Sequence, residues 1–321
     1  MTEFIDKIKA KVLAGGSLTE DEAYALADVT DRRALRDAAA EVTRAFCPVQ
    51  FDSCSIVNAR SGRCSENCKW CAQSAHWNTH CDEYAMIPHD ECMDAARHNA
   101  SKGVHRISLV ASGKAVRGKA LTEICSLLRE AREQTGIETC ASLGLLDREQ
   151  LQQLWDAGVR RYHCNLESAP SHFATLCTTH TIDDKLRTIE AARSLGFEIC
   201  SGGIIGMGET ELQRIEFALT LRRAHPDSIP INILCPIPGT PLADTPLISE
   251  DDIIDTIAFF RLIHPHTQLR FAGGRRRLSR EAQIECMRVG INGGITGDLL
   301  TTVGSTIDAD RDLARDAGYT F

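Results

Sequence analysis

Three cysteines, Cys64, Cys68 and Cys71, stand inside eight residues of the stretch "RSGRCSENCKWCAQSAHW", with the spacing C-x3-C-x2-C. Three thiolates on one loop can wrap three corners of a cubane iron–sulfur cluster and leave the fourth iron open to a substrate. Zinc is the rival. Its structural sites take four protein ligands, commonly from two paired C-x2-C knuckles, and no second knuckle occurs here. The 321-residue chain carries 14 cysteines. Its opening residues lack the apolar core and small-residue cleavage site of an export signal, so clustered thiols point to metal ligation or redox chemistry rather than disulfides. Cys92, Cys125 and Cys286 fall within helical patterns and read as small core residues.

The remaining composition narrows the partners. Net charge is −8 and the basic residues are scattered, so nucleic acid is not expected. The densest basic cluster, "GGRRR" at 273–277, reads as a solvated loop or helix entry. No apolar run reaches membrane-spanning length, and the cytoplasm is the expected location.

These thiols need a scaffold. Residues 1–45 read as a helical segment, opened in part by a Thr19-x-x-Glu22 capping box. From residue 46 to 321 the pattern changes. Eight strand-like runs, from "FDSCSIV" through "RRYHCNLES" and "PINILCPI" to "INGGITG", alternate with helical patterns such as "DREQLQQLWDAG". Regular βα alternation predicts a parallel sheet, and eight units predict a closed (β/α)8 barrel of the TIM type. Chemistry in such a barrel gathers at the C-terminal ends of the strands. Cys54, Cys140, Cys164, Cys200 and Cys235 all lie in or just after predicted strands, and the triplet follows the first. Thiols at equivalent places on different units can converge on one axis.

A triplet of this spacing after the first strand of a βα barrel resembles the radical S-adenosylmethionine (SAM) enzymes. The motifs "CSENCKWCAQS", "YHCNLES", "CSGGIIGMGET", "INILCPIPGTPLAD", "LRFAGGR" and "LLTT" then occur in the order seen in biotin synthases, from about residue 50 onward. The resemblance implies a 4Fe-4S cluster on Cys64, Cys68 and Cys71 that chelates SAM and cleaves it to a 5′-deoxyadenosyl radical. It implies sulfur insertion into dethiobiotin, a low-potential donor of the flavodoxin or ferredoxin type, and a homodimer. Trp70 matches the aromatic residue near the adenine, and Asn165 and Glu167 the pair that contacts the ribose, Asn165 also lying near dethiobiotin. Gly202 and Gly203 match backbone passing close to the methionine end of SAM. Asn232 matches the amide on the ureido ring, and Thr301 and Thr302 the hydroxyls that receive the carboxylate tail.

One part departs from the family pattern. The resemblance implies an auxiliary 2Fe-2S cluster held by three cysteines and an arginine, which supplies the sulfur. Cys140, Cys200 and Arg270 match three of those ligands, but Ser108 stands at the fourth, and a hydroxyl is a poor substitute for a soft thiolate. Cys54 and Cys235 are extra. The expectation is a differently ligated auxiliary cluster, of the 2Fe-2S or a four-iron type, on Cys54, Cys140, Cys200 and Cys235. Cys164 is held in reserve, and Arg270 stands in the ligand set or just outside it. The alternatives are another radical SAM reaction, as in the related hydrogenase-cofactor maturase, and a non-catalytic cluster carrier, which has no use for "YHCNLES" or "GGIIGMGE".

Overall fold

The computed structural model describes residues 2–297 and 304–321. Helices Thr2–Leu13, Glu20–Tyr24 and Arg32–Phe46 come first. Thr19 caps the second. Its hydroxyl accepts from Glu22 N at 3.2 Å, while the Glu22 carboxylate accepts from Thr19 N at 2.9 Å, the reciprocal pair expected of that spacing. Helix Arg32–Phe46 buries Leu35, Ala38, Ala39 and Val42 against the barrel, and its small residues allow close approach. Arg36 donates to Asp255 at 2.6 Å and Thr43 Oγ1 to the Val289 carbonyl at 2.7 Å. The same apolar core runs from Ile5 and Ile8 through these helices into the barrel. Each fully buried aliphatic side chain in it contributes about 1.5–3 kcal/mol.

Among the described residues nine strands form one parallel sheet: β1 (Asp52–Arg60), β2 (Arg106–Ala111), β3 (Glu138–Ser142), β4 (Arg161–His163), β5 (Glu198–Cys200), β6 (Gly203–Ile205), β7 (Ser228–Ile233), β8 (Gln268–Phe271) and β9 (Gly293–Ile295). Their order is β5-β4-β3-β2-β1-β9-β8-β7-β6, and β5 also pairs with β7. Cys200 of β5 faces Ser228 and Gly203 of β6 faces Ile231, so the two are halves of one broken fifth strand. Eight strand positions therefore close a (β/α)8 barrel, as the alternation predicts.

The break has a steric cause. A Cβ at Gly202 would stand 2.0 Å from the Pro230 carbonyl oxygen, and one at Gly203 would stand 2.3 Å from that of Glu167. Glycine at both positions is demanded by neighbouring backbone. The run "RRYHCNLES" is also shorter as a strand than its composition suggests. It ends at His163, because Asn165 Oδ1 turns to accept from Gly202 N at 2.9 Å and Glu167 takes a φ of 76°.

The "RRR" stretch is solvated only in part: Arg276 is exposed and Arg277 half-buried, but Arg275 is buried. The stretch forms a 3-10 turn, Arg275–Arg277, with Arg275 Nη2 2.5 Å from Asp310 Oδ1 on helix Ile307–Asp316. Arg276 and Arg277 donate to the Gly304 and Leu234 carbonyls. The fixed carboxylate of Asp310 takes the Arg275 guanidinium out of water. No helix among the described residues is long and apolar enough to cross a membrane.

Candidate active site

The floor of the barrel is a buried charge network. Asp52 on β1 meets Arg270 on β8 at 2.5 Å, Arg106 on β2 at 2.8 Å and Arg161 on β4 at 3.4 Å. Burial alone would raise its pKa, but the Arg270, Arg106 and Arg161 guanidiniums outweigh that and lower it to about 2. Arg270 is further held by Ser228 Oγ at 2.6 Å.

Above this floor lies a lumen cavity of about 260 Å³. It gathers the thiols of Cys54, Cys140 and Cys200, all buried, beside Arg161, Arg270, Ser108 and His163. Period-two alternation aims these side chains inward, and the parallel register sets Ser108 opposite Cys140 and His163 opposite Cys200. Burial, with Cys54 and Cys200 close by, pushes Cys140 up to about 12. Burial would push Cys200 up as well, but the His163, Arg270 and Arg161 charges prevail and bring it down to about 7. His163 Nδ1 lies 3.3 Å from Cys200 Sγ. Three soft thiols with cationic neighbours suit a thiolate-held iron–sulfur cluster, whose negative charge the guanidiniums offset.

The loop triplet opens on a second cavity of about 240 Å³, lined by Cys64, Cys68, Cys71, Trp70, Cys164, Asn165, Glu167 and Lys185 among others. Backbone bonds shape the loop: Cys64 N to Gln73 O at 2.9 Å, Ala75 N to Cys64 O at 2.8 Å and Cys71 N to Cys68 O at 3.1 Å. Trp77 Nε1 donates to the Cys68 carbonyl at 3.0 Å. The three thiols are free and half-buried at one wall of a cavity. An all-thiolate donor set of three, with space beside it, fits a site-differentiated 4Fe-4S cluster. The two cavities share Val110, Ser142, His163, Asn165 and Glu167 as a common wall.

The structure distributes the other expected site residues as follows. Asn165 Nδ2 donates to Glu167 Oε2 at 3.3 Å, so the pair stands together between the cavities. Trp70 packs edge-on to Phe173 with centroids 6.4 Å apart. Asn232 lines the lumen, bonding Gly203 O through Nδ2 and Gly273 N through Oδ1, each at 2.9 Å. Gly202 and Gly203 line neither cavity. Cys164 faces the loop cavity, away from the lumen thiols. Cys235, two residues beyond β7, lines a third cavity of about 220 Å³ with Trp70 and Cys71. That space meets the lumen at Ile56, Asn232 and Ile295. Thr301 and Thr302 lie outside the described residues. A larger cavity of about 1060 Å³, lined by Ile56, Tyr84, His98 and Ser305 among others, holds none of these thiols.

Sequence reasoning missed Asp52, Arg106 and Arg161, whose signal was a charged residue at the inward start of a strand. It also missed His163, which sits inside the quoted motif "YHCNLES".

Residues 59–221 match the model of the radical SAM superfamily, and residues 230–320 match that of the biotin and thiamin synthesis associated domain. The barrel is therefore that of a radical SAM enzyme. The chain is 50% identical over 317 residues to biotin synthase of Parabacteroides distasonis, covering 99% of this chain and 97% of that one. It is 50% identical over 315 residues to biotin synthase of Porphyromonas gingivalis, covering 98% and 96%. The chain belongs to the biotin synthase family. Among solved structures, methylornithine synthase superposes with a TM-score of 0.83 at 16% identity, covering 98% of this chain and 96% of that one. The FeFe-hydrogenase maturase of Carboxydothermus hydrogenoformans superposes equally well at 18% identity, covering 99% and 79%; both likenesses show the fold alone.

Proposed function

We propose that this chain inserts sulfur into dethiobiotin to form biotin, using two iron–sulfur centres stacked along the barrel axis. The observation that carries the reading is the pair of thiol sets in adjoining cavities with one wall in common. A substrate at that wall has a SAM site on one side and a sulfur donor on the other. The 4Fe-4S cluster and SAM would supply the one-electron chemistry that removes one hydrogen atom from each of the two carbons that come to flank the ring sulfur.

The chain's own residues bind and orient. Cys64, Cys68 and Cys71 hold the first cluster, and Trp70 borders the adenine. Glu167 accepts from the ribose hydroxyls, its carboxylate kept in place by Asn165 Nδ2. Asn232, with one N–H and one lone pair beyond its two backbone bonds, matches the donor–acceptor edge of the ureido ring. Gly202 and Gly203 let the fifth strand break so that the Asn165–Glu167 turn reaches the axis. Thr301 and Thr302 are the proposed holders of the carboxylate tail. Cys54, Cys140 and Cys200 hold the auxiliary cluster with Arg270 alongside; Cys235, whose cavity adjoins the lumen, is the candidate for a fourth thiol, and Cys164, which faces the loop cavity, is set aside. A flavodoxin or ferredoxin type donor, a homodimer and a cytoplasmic setting complete the proposal.

Anaerobically reconstituted protein given SAM, a low-potential reductant and dethiobiotin should form biotin; SAM cleavage without biotin would reject the reading. Iron analysis tests the second centre. The intact chain should hold clearly more than about four irons, the content of one cubane. Cys54→Ser, Cys140→Ser or Cys200→Ser should each reduce that to about four while SAM cleavage persists. Cys235→Ser separates a three-thiol set, which leaves iron unchanged, from a four-thiol set, which loses it.

A further inference from the structure

Beside the loop triplet stands a second constellation that sulfur insertion does not use. Cys177 caps the helix Pro170–Leu176, His180 follows three residues later, and both are buried. Cys68 Sγ lies 3.7 Å from Cys177 Sγ. Cys177 Sγ in turn lies 3.5 Å from Nδ1 and 3.8 Å from Nε2 of His180. Donor atoms of these three residues all lie within 4.8 Å of one another, the only such group of Cys, His, Asp and Glu found among the described residues.

The Cys68–Cys177 separation of 3.7 Å and the Cys177–His180 Nε2 separation of 3.8 Å lie close to two edges of one tetrahedron. With metal–sulfur bonds of about 2.3 Å and metal–nitrogen bonds of about 2.0–2.1 Å, two sulfurs on one ion stand about 3.8 Å apart, and sulfur and nitrogen about 3.5 Å apart. Thiolates of a cubane each bind a different iron and stand farther apart, and the loop triplet forms no such tight group. Cys68 is thus spaced with Cys177 for a single ion.

A second feature points the same way. Glu66 Oε2 lies 2.7 Å from His180 Nδ1, with both groups buried. A carboxylate on Nδ1–H fixes the tautomer and leaves the Nε2 lone pair for a metal, the outer partner that ligating histidines usually carry.

We propose that Cys68, Cys177 and His180 form a site for one thiophilic dication, zinc or ferrous iron, that excludes the loop cluster because both require Cys68. Two thiolates neutralise the ion, and their two protons pass to solvent on binding, with no change of oxidation state. A fourth position is left to water, beside Thr179 Oγ1 at 3.5 Å from Cys177 Sγ. An ion held there keeps Cys68 from Cys64 and Cys71, so it must leave before the cubane closes.

The test uses full-length, cluster-free chain, reduced with a phosphine, in a Cys140→Ser/Cys200→Ser background that removes two of the three lumen thiols. Cobalt(II) alone is the probe. The expected result is one tetrahedral thiolate–cobalt spectrum per chain, displaced by zinc and retained when Cys64 and Cys71 are both replaced by serine. Cys177→Ser should abolish it, and Glu66→Gln should weaken it about 10–100-fold. One equivalent of zinc should also block iron uptake at the loop in the parent chain but not in Cys177→Ser. An absent tetrahedral signal, its loss with Cys64 and Cys71, or its survival without Cys177 would each overturn the proposal. The first two outcomes do not depend on how well Cys177→Ser folds.

Discussion

A methyl group at position 202 has no room. The added carbon would sit 2.0 Å from the Pro230 carbonyl, which belongs to β7 and is held by strands on both sides. Gly136, the cap of helix Gly118–Thr135, makes the useful contrast: it has a φ of 71° and open space around it. Gly136→Ala should therefore cost about 1 kcal/mol, the conformational penalty alone. Gly202→Ala should cost about 2–3 kcal/mol, the upper part of the range for overpacking because the clash is with fixed backbone, read as a larger drop in the urea midpoint. Equal losses would mean that position 202 relaxes freely. The result bears on function, since the same break in the fifth strand aims Asn165 and Glu167 at the axis.

Elements show which features a linear reading can reach. The strands and their alternation were legible, because inward and outward residues differ in kind along each run. That is why Cys54, Cys140 and Cys200 could be expected on one axis, and they line one cavity. Cys235 looked equivalent, but β7 ends at Ile233 and two further residues carry it to the next cavity. Cys177 went unread because, although His180 follows it at C-x2-H spacing in "LCTTH", its other partner, Cys68, is 109 residues away. The Arg275 turn was misread because its carboxylate, Asp310, comes 35 residues later. His264 is a similar long-range feature. It caps helix Glu250–Ile263 and its Nε2 donates to the Ala218 carbonyl of helix Glu211–Ala224 at 2.7 Å. Burial lowers its pKa from 6.5 to about 4. The unfolded chain then binds a proton between those values that the folded chain refuses, so stability falls as pH drops from about 6.5 to about 4. The loss approaches about 3 kcal/mol at the acid end. His264→Gln should show a shallower decline in urea unfolding over that window; parallel slopes would remove His264 as the cause.

Across the whole molecule, closure of the barrel concentrates charge at one end and soft ligands at the other. Asp52 contacts arginines from β2, β4 and β8, so one carboxylate ties four of the eight strand positions. Two of those arginines have other acids: Arg106 reaches Glu138 at 2.6 Å and Arg161 reaches Glu198 at 2.8 Å. Arg270 has only Asp52 as a carboxylate partner among the described residues, with Ser228 and Gln268 as neutral ones. Asp52→Asn keeps the shape but strands the Arg270 charge in the interior, and should cost about 3–5 kcal/mol in the cluster-free chain. Removing both partners in Asp52→Asn/Arg270→Gln should cost less than the sum of the single changes, because the stranded charge leaves with the arginine. Strict additivity would mean that the two groups do not compensate each other. The pairing also sets an acid limit. The Asp52 pKa is lowered from 3.8 to about 2, so its stabilisation is complete above 3.8 and is lost as pH falls through about 2. Loss of that charge would also leave Arg270 with no counter-ion except thiolate, directly under the cavity where the sulfur donor is proposed to sit. Asp52→Asn should therefore change the visible spectrum of the auxiliary cluster while leaving SAM cleavage at the loop intact.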